Sequence, residues 1–455
     1  MTPVGVPAEL VFNLPASMLD SRKIEQRIQP YSQSTYNSAG QVAKFTIPQT
    51  DRTLISGQTM YLTGNLDLSN LLKSDGVTAA VAGTDTFAIL GSFYSLFSRQ
   101  VINANGTVLE TIERPGELVN MLVNMTMNAA EKLAQGCSLG TCPQLSTAYS
   151  PDGTSNICFP INDSNVSGPN LNKTITFAIP IVGVLDSVKY LPMWNSNIDV
   201  ELTINAITNW LSALNGSAGS INLAQFSLYN LELVFDSIEL SPESFNMVMA
   251  NYPQKVVIKT QSYLAGTGSL ASGVSGGQDI AINARLSSMK QLFFYFNQTS
   301  CADQTFGGVN PNGNDVVFIT NGKYYPQRPV KLTNPSEVYM QIQKSFGSIK
   351  TYSHSGAIGR AELTRRNVAN NWYATPITTK ASLDNYGNKF YLAIDTEIIN
   401  TNKDSLYNGI QTGVNSNIRL NIADALGAAM TCYYWCCYDA LLEFDFVSGI
   451  TRAIY

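Results

Sequence analysis

Histidine is almost absent from this sequence: only His354 occurs among 455 residues. A Ser–His–Asp triad would have to use that one residue, and a zinc, iron or copper site built from several histidines is excluded. His354 lies in the polar run Tyr-Ser-His-Ser-Gly, which is typical of a loop. We therefore predict no catalytic residues, no metal site and no cofactor, and we expect the chain not to be an enzyme.

Charge is also scarce, because Asp, Glu, Lys and Arg make up only 13% of the chain. The formal net charge is −5, whereas a protein that coats nucleic acid through its phosphates should be basic. We therefore expect no sequence-specific nucleic-acid binding. Uncharged residues, asparagine above all, supply the polarity instead. Since charge is depleted in the cores of protein–protein interfaces, this composition favours large assembled surfaces.

Long apolar runs are missing, so no transmembrane helix is predicted, and the first twenty residues do not resemble a secretion signal. The seven cysteines are odd in number and do not indicate a disulfide framework. A staple among Cys137, Cys142 and Cys158 stays an alternative. Cys432, Cys436 and Cys437 lie in an aromatic run typical of a buried strand, which favours buried thiols over a metal box.

Alternation of apolar and polar residues predicts antiparallel strands with one buried face. It is clearest around Met60–Leu68, Ile198–Ile204 and Ile418–Ile422. Runs rich in Val, Ile, Phe, Tyr and Thr predict further strands at 174–182, 226–240, 254–263, 290–297, 315–325, 389–399 and 441–447.

Two helices stand out from this pattern. The first is predicted from Pro115 to about Gln135, with Gly136 as its stop. Its apolar stripe is expected to pack across the end of a β-sandwich, although a ligand surface stays an alternative; the stripe comprises Leu118, Met121, Leu122, Met125, Ala129 and Leu133. The second helix is predicted to begin at Asn334, with Glu337 completing a capping box, and to end at Gly347.

The chain also resembles itself at a nearly constant offset of about half its length. Asn-Gly, the favoured turn of a tight hairpin, occurs between two apolar runs in each half and is followed by Arg-Pro and a helix. The paired landmarks are Asn105-Gly106 and Asn321-Gly322, Arg114-Pro115 and Arg328-Pro329, Asn195-Ser196-Asn197 and Asn415-Ser416-Asn417, and 229–236 and 438–445. Their common order predicts two copies of one β-rich module.

These observations predict an all-β fold of two consecutive antiparallel jelly-roll β-sandwiches with a short helix in each. We place the first jelly roll at 26–248 and the second at 249–455, with 1–25 as an N-terminal arm or first strand. Residues 136–170 form a loop-rich insertion in the first copy. A Gly/Ser-rich run at 264–277 lies early in the second copy, and 273–279 is predicted to be a flexible loop that lacks a phosphate-binding Lys.

Three stretches resemble one known family. FSRQVINANGTVLETIERPGELVNML is similar to a hairpin leading into a helix in the first jelly roll of that family. FYLAIDTEIINTNKDSLYNGIQTGVNSNIRLNI and LLEFDFVSGITRAIY resemble late segments of its second jelly roll. The family is that of the double jelly-roll major capsid proteins of icosahedral double-stranded DNA viruses, whose lineage includes adenovirus hexon and the membrane-containing phages.

The resemblance implies a structural protein of the virion that assembles inside the host cell. Its members form homotrimers, and two jelly rolls per chain give a pseudo-hexameric capsomer that tiles an icosahedral shell. The implied partners are neighbouring capsomers, penton proteins and minor capsid or cement proteins. The resemblance leaves open an underlying lipid membrane.

Enzymes are the first competing class. A two-jelly-roll metalloenzyme would need several histidines, and a glycosidase would need two cooperating carboxylates. The nearest acid pairs are Glu110 with Glu113 and Asp395 with Glu397, and both are interpreted as solvated faces.

A tandem β-sandwich that binds carbohydrate, or an adhesin, is the second competing class. Its candidate stacking residues are Trp194, Trp210, Trp372, Tyr324 and Tyr325, all of which are more typical of a core or an interface. The nearest approach to a basic stripe consists of Arg360, Arg365 and Arg366, interrupted by Glu362, and it is interpreted as a trimer or surface contact.

Overall fold

The computed structural model describes most of the chain and carries no ligand or partner. The longer described ranges are 21–67, 87–89, 92–128, 134–139, 174–186, 188–213, 226–251, 254–298, 313–347, 390–398, 408–413, 415–422, 429–447 and 451–454.

In the first half of the chain, the described residues form thirteen strands. They are β1 (Ser21–Ile28), β2 (Thr35–Tyr36), β3 (Val42–Ile47), β4 (Thr53–Ile55), β5 (Tyr61–Asp67), β6 (Phe87–Ile89), β7 (Phe97–Ala104), β8 (Thr107–Glu113), β9 (Thr174–Pro180), β10 (Leu191–Pro192), β11 (Ile198–Ile204), β12 (Leu211–Ala213) and β13 (Ser227–Leu240).

The described part of the second half forms nine strands. They are β14 (Lys255–Leu270), β15 (Gly276–Ile282), β16 (Met289–Gln298), β17 (Gly313–Thr320), β18 (Lys323–Lys331), β19 (Tyr391–Asp395), β20 (Ser416–Ile422), β21 (Met430–Asp445) and β22 (Thr451–Ile454). The main helices are α1 (Pro115–Thr126), α2 (Pro242–Asn251) and α3 (Pro335–Ser345), and a helical turn spans Gly136–Leu139.

Each half arranges eight principal strands in the same order. In the first half, sheet 1 contains β1-β13-β5-β9, extended by β2, β4 and β10, and sheet 2 contains β3-β11-β7-β8. In the second half, sheet 3 contains β14-β21-β16-β19, with β22 beside β21, and sheet 4 contains β15-β20-β17-β18. All of these pairs are antiparallel. Numbered along each half, the strands lie as 1-8-3-6 and 2-7-4-5, which is the jelly-roll arrangement and confirms the predicted fold class.

The internal repeat is confirmed at its landmarks. Asn105 and Asn321 have φ values of 48° and 50°, and the glycine after each is also left-handed, as a two-residue hairpin requires. These turns join β7 to β8 and β17 to β18, which are equivalent strands. The stretches 229–236 and 438–445 fall within β13 and β21, the eighth strand of each jelly roll. The boundaries between domains stay a prediction.

Several local predictions need correction. The run 315–325 is not one strand, because the Asn-Gly turn divides it into β17 and β18. Sheet pairing likewise extends into the Gly/Ser-rich run 264–277, since β14 continues to Leu270 and β15 begins at Gly276. Only the start of the predicted loop at 273–279 lies outside a strand. Within 1–25, predicted to be an arm or first strand, residues 21–25 belong to the first strand, β1, which pairs with β13, and 1–20 lie outside the described residues.

Helix α1 ends at Thr126, well before the predicted Gln135. Met127 is extended, and Asn128 and Glu131 then cap each other's backbone N–H groups at 2.8 and 2.9 Å, which starts a new turn. Gly136 therefore opens a helical turn and does not end a helix. Asn334 precedes α3 as predicted, but its side chain makes no capping hydrogen bond.

The buried apolar side chains form two clusters, one in each jelly roll, and each cluster includes side chains from the other half of the chain. Leu442 and Phe444 of β21 are buried in the core of the first jelly roll. Leu118, Met121 and Met125 of α1 are buried in the core of the second. The two jelly rolls therefore exchange apolar side chains across their contact.

Close packing at the start of α1 gives the first testable prediction. A Cβ atom on Gly116 would lie 2.5 Å from the Cα of Ser95, so Gly116→Ala forces the helix away from the preceding turn. We expect a loss of about 1–3 kcal/mol in the free energy of unfolding, measured by urea denaturation. Gly277→Ala is the matched control, because a Cβ atom there meets nothing within 4 Å. Equal stability of the two variants would contradict the packing of α1.

Candidate functional site

The contact between the two jelly rolls is the most elaborate polar and apolar surface in the described structure. Helix α1 lies at its centre, with Val119 and Val123 in the first core and Leu118, Met121 and Met125 in the second. The described residues of the predicted stripe therefore pack mainly on side chains of the other jelly roll and not across the end of their own, while Ala129 and Leu133 lie outside the described residues. A helix that is apolar on nearly every side is stable only when it is enclosed in this way.

An aromatic cluster on sheet 3 receives α1. The ring of Tyr295 lies 5.3 Å from Tyr433, 5.7 Å from Tyr391 and 5.9 Å from Trp435, measured between centroids. The carboxamides of Asn120 and Asn124 in α1 approach the Tyr391 hydroxyl at 3.4 Å each. The indole N–H of Trp435 donates to the backbone oxygen of Glu113 at 3.4 Å. These hydrogen bonds fix the register of the helix on the sheet.

The first turn of α1 places a buried carboxyl, Glu117, near the partly buried guanidinium of Arg114. Arg114 adopts a left-handed φ of 56°, which places its guanidinium 4.5 Å from the centroid of the Tyr433 ring. Glu117 is buried, and burial raises the pKa of its carboxyl to about 8, although the positive charge of Arg114 acts in the opposite direction. Desolvation therefore has the larger effect on the pKa of Glu117, because the positive charge of Arg114 does not replace the water that a buried carboxylate loses.

A second buried carboxyl, Glu110 of β8, joins the two jelly rolls directly. Its oxygens accept hydrogen bonds from the backbone N–H of Val184 at 3.1 and 3.2 Å and from the hydroxyl of Ser262 in β14. Burial raises the pKa of Glu110 to about 8, and the hydrogen bonds oppose that rise. Asp186, whose own pKa burial raises, adds a like charge nearby.

Backbone oxygens supply further links across the contact. The hydroxyl of Thr260 donates to the carbonyl of Val184 at 2.6 Å. Asn105, at the first hairpin turn, donates to the carbonyl of Gly449 at 3.0 Å, and Asn195 donates to that of Asp445 at 2.9 Å. In the first copy, two of the repeated asparagines, Asn105 and Asn195, therefore hydrogen-bond to the connection between β21 and β22.

Neither predicted acid pair is a solvated face. Glu110 is buried, whereas Glu113 is exposed and pairs with Arg99 at 2.9 Å. Glu397 is largely covered and pairs with Lys290 at 3.0 Å. Asp395 lies 3.7 Å from Lys344 and also accepts the backbone N–H of Glu397. A lysine thus neutralises each member of the second pair.

The aromatic residues predicted to lie in a core or interface are mostly covered. Trp210 is fully buried against Phe226, and Trp194 lies 5.2 Å from Phe245 and 5.4 Å from Phe446, ring to ring. Tyr324 is half exposed and Tyr325 is half-buried. Outside the described residues lie Trp372, His354, Arg360, Glu362, Arg365 and Arg366.

The three cysteines of β21 are buried free thiols, as predicted. Burial raises the pKa of Cys436 and of Cys437 to about 12, so both stay protonated and unreactive at neutral pH. The side chains of Cys137, Cys142 and Cys158 fall outside the described part of the chain.

Sequence reasoning missed Arg114 and Glu117 as interface residues and took Glu110 for a surface acid. Their position in the sequence was the available signal, because all three lie between the Asn105-Gly106 turn and the first turn of the helix that follows it. Among the described residues, no group of three or more His, Cys, Asp or Glu side chains is placed to hold a metal ion. No described helix is long and apolar enough to cross a membrane.

The buried carboxyls give a pH prediction. The pKa of Glu117 is about 8 in the folded chain, above its ordinary value of 4.5, so the folded state binds more protons than the unfolded state between these values. Its contribution to the free energy of unfolding therefore falls as pH rises, by up to about 1.4 kcal/mol per pH unit. Urea unfolding between pH 5 and pH 8 should show a shallower decline for Glu117→Gln than for the unaltered chain.

Glu113→Gln is the control for this measurement, because Glu113 lies nearby but its carboxylate is exposed. It should leave the pH dependence of stability unchanged. If Glu117→Gln also left it unchanged, Glu117 would not be a protonated buried acid.

Comparison with solved structures identifies proteins whose folds are similar to this one. The chain superposes on PBCV-1 VP54, fitted into a reconstruction of the virophage Sputnik, with a TM-score of 0.57, 10% identity and coverage of 98% of this chain and 99% of that one. It matches the 3.5 Å structure of the Sputnik virophage with a TM-score of 0.56 at 11% identity, covering 99% and 92%. For the mavirus major capsid protein the TM-score is 0.52 at 11% identity, covering 94% and 90%.

No family model matches the sequence, and no curated protein does. The similarity thus lies in the arrangement of strands and extends over nearly the whole of each chain. The chain has the double jelly-roll fold of these major capsid proteins.

Proposed function

We propose that this chain is a major capsid protein that trimerises into pseudo-hexagonal capsomers and tiles the icosahedral shell of a virion. The strand order of the two jelly rolls and the fold shared with viral capsid proteins support this function. Its role is structural and not enzymatic. Each chain would supply two units of the pseudo-hexagon, one from 26–248 and one from 249–455, preceded by the arm or first strand at 1–25.

One observation carries the proposed trimer. The contact between jelly rolls occurs once within the chain, and the equivalent surface on the far side of each jelly roll is exposed. In the first jelly roll, β8 and α1 cover the outer face of sheet 3. The equivalent strand of the second jelly roll, β18, is largely exposed, with Lys323, Tyr324 and Arg328 on its surface. The equivalent outer face of sheet 1 carries exposed Lys23 and Arg27.

These two open faces would be the two halves of a head-to-tail contact between copies. A heterologous contact of this kind closes into a ring when its rotation divides the circle. If the contact between copies repeats the geometry of the contact within each chain, three chains place six jelly rolls around one axis. Closure would also cover strand edges that otherwise risk uncontrolled pairing.

The chemistry of the two contacts differs. Within the chain, sheet 3 presents an aromatic, buried face to α1. On sheet 1, ion pairs line the corresponding face: Lys23 lies 2.8 Å from Asp236, and Arg27 lies 3.4 Å from Glu232. We therefore expect the contact between copies to weaken with salt, whereas the contact within the chain should persist.

The remaining partners follow from the same role. Neighbouring capsomers, penton proteins and minor capsid proteins would contact the outer rim of the trimer, and an underlying lipid membrane is a further possible layer. No sequence-specific nucleic-acid binding is part of the proposal. The carbohydrate-binding alternative loses support, because Trp210 is buried and Trp194 packs between Phe245 and Phe446.

The first test is the mass of the full chain in solution, measured by light scattering after size exclusion at low and high salt. We expect a species of three times 49.5 kDa at low salt. A monomer under all conditions would overturn the proposed function.

The second test uses two double variants. Tyr324→Asp with Arg328→Glu alters the β18 face, and Lys23→Glu with Arg27→Glu alters the sheet 1 face. Each alone should be monomeric, because every contact would join one altered and one intact face. An equimolar mixture should form dimers, since one pairing has both faces intact.

Val274→Asp, in the turn between β14 and β15, is the control and should stay trimeric. If both double variants stayed trimeric while the unaltered chain did so too, the trimer would stand but its contact would lie elsewhere.

A further inference from the structure

Helix α2, which connects the two jelly rolls, is not packed like the other helices. Its sequence, PESFNMVMAN, contains Phe245, Met247, Val248 and Met249, and none of these four side chains is buried. Met247 is 54% exposed. By contrast, α1 buries most of its apolar residues, and α3 buries Val338 and Ile342. An apolar helix left open to water indicates a surface that binds something.

The apolar surface continues beyond the helix. Phe245 contacts the ring of Trp194, which contacts Phe446, and the next residue, Val447, is 79% exposed. The indole N–H of Trp194 is shielded from solvent and has no acceptor among the described residues. This surface, formed by α2, Trp194 and 446–447, thus combines apolar side chains with an available donor.

The chain itself delivers a candidate occupant to this place. The first residue of β1, Ser21, pairs with Leu240, which lies two residues before Pro242 at the start of α2. The first described residue of the chain therefore lies beside the start of the helix. Residues 1–20 include the apolar run Leu10-Val11-Phe12 and Leu14.

The segment is long enough to reach the helix. Phe12 is nine residues from Ser21, which is about 30 Å of extended chain, whereas a ten-residue helix is about 15 Å long. The segment contains Glu9 and Asp20 and no Lys or Arg. An anionic lipid surface would instead favour a cationic segment.

We propose that residues 1–20 of the chain bind over α2, with the apolar side chains of 10–14 covering Met247 and the ring of Phe245. The bound segment would also bring backbone oxygens within reach of the Trp194 indole. This docking holds for a single chain and does not depend on trimer formation.

Methionine oxidation in the full chain tests the proposal. Hydrogen peroxide converts accessible methionine to its sulfoxide, and mass spectrometry of peptides gives a rate for each site. Met340 on α3, which is 44% exposed, is an internal reference. If the segment is bound nine-tenths of the time, Met247 should oxidise about tenfold more slowly than Met340 in the unaltered chain.

Leu10→Asp with Phe12→Asp should abolish the protection of Met247 and leave Met340 unchanged. Thr2→Asp is the control within the segment and should keep the protection. Equal rates at Met247 and Met340 in the unaltered chain would overturn the proposal. Protection that persists in the double variant would overturn it too, because another copy or a lipid surface would then be the cover.

Discussion

The structure depends on the enclosure of α1 between two sheet sandwiches that neither half of the chain could provide alone. The helix is apolar on nearly every side, and its residues divide between two cores. Burying both faces yields more hydrophobic stabilisation than packing one stripe on a single sheet would. The cost is that, at its start, Glu117 is buried as well and Arg114 is partly buried. The cation over Tyr433 offsets part of that cost.

Much of the fold could be predicted from local chemistry. Asn-Gly turns require left-handed backbone at both residues, so they mark β7–β8 and β17–β18 in the sequence itself. The period-two pattern of Ile198–Ile204 also matches the observed alternation of burial in β11. These features depend on neighbouring residues alone, and for that reason the repeat and the jelly-roll class could be predicted.

The interface could not be predicted in the same way. Alternation shows that Leu442 and Phe444 are buried, but it does not show which sheet covers them. In the sequence, Glu110 resembles any surface acid of a strand. Only the structure shows that Ser262, far away in the sequence, donates a hydrogen bond to it. Asn128 and Glu131 form a capping pair that indicates the early end of α1. The helical spacing of Ala129 and Leu133 nevertheless predicted that the helix continues. Long-range packing decided each of these outcomes.

The exchange of core residues has a consequence for the order of synthesis. Leu442 and Phe444, which complete the core of the first jelly roll, are translated only after β14 to β20 of the second. The first jelly roll thus leaves the ribosome with an unfilled core and finishes folding when the last long strand arrives. A chain interrupted before β21 would be defective in both halves. Only chains that include β21 can therefore complete folding.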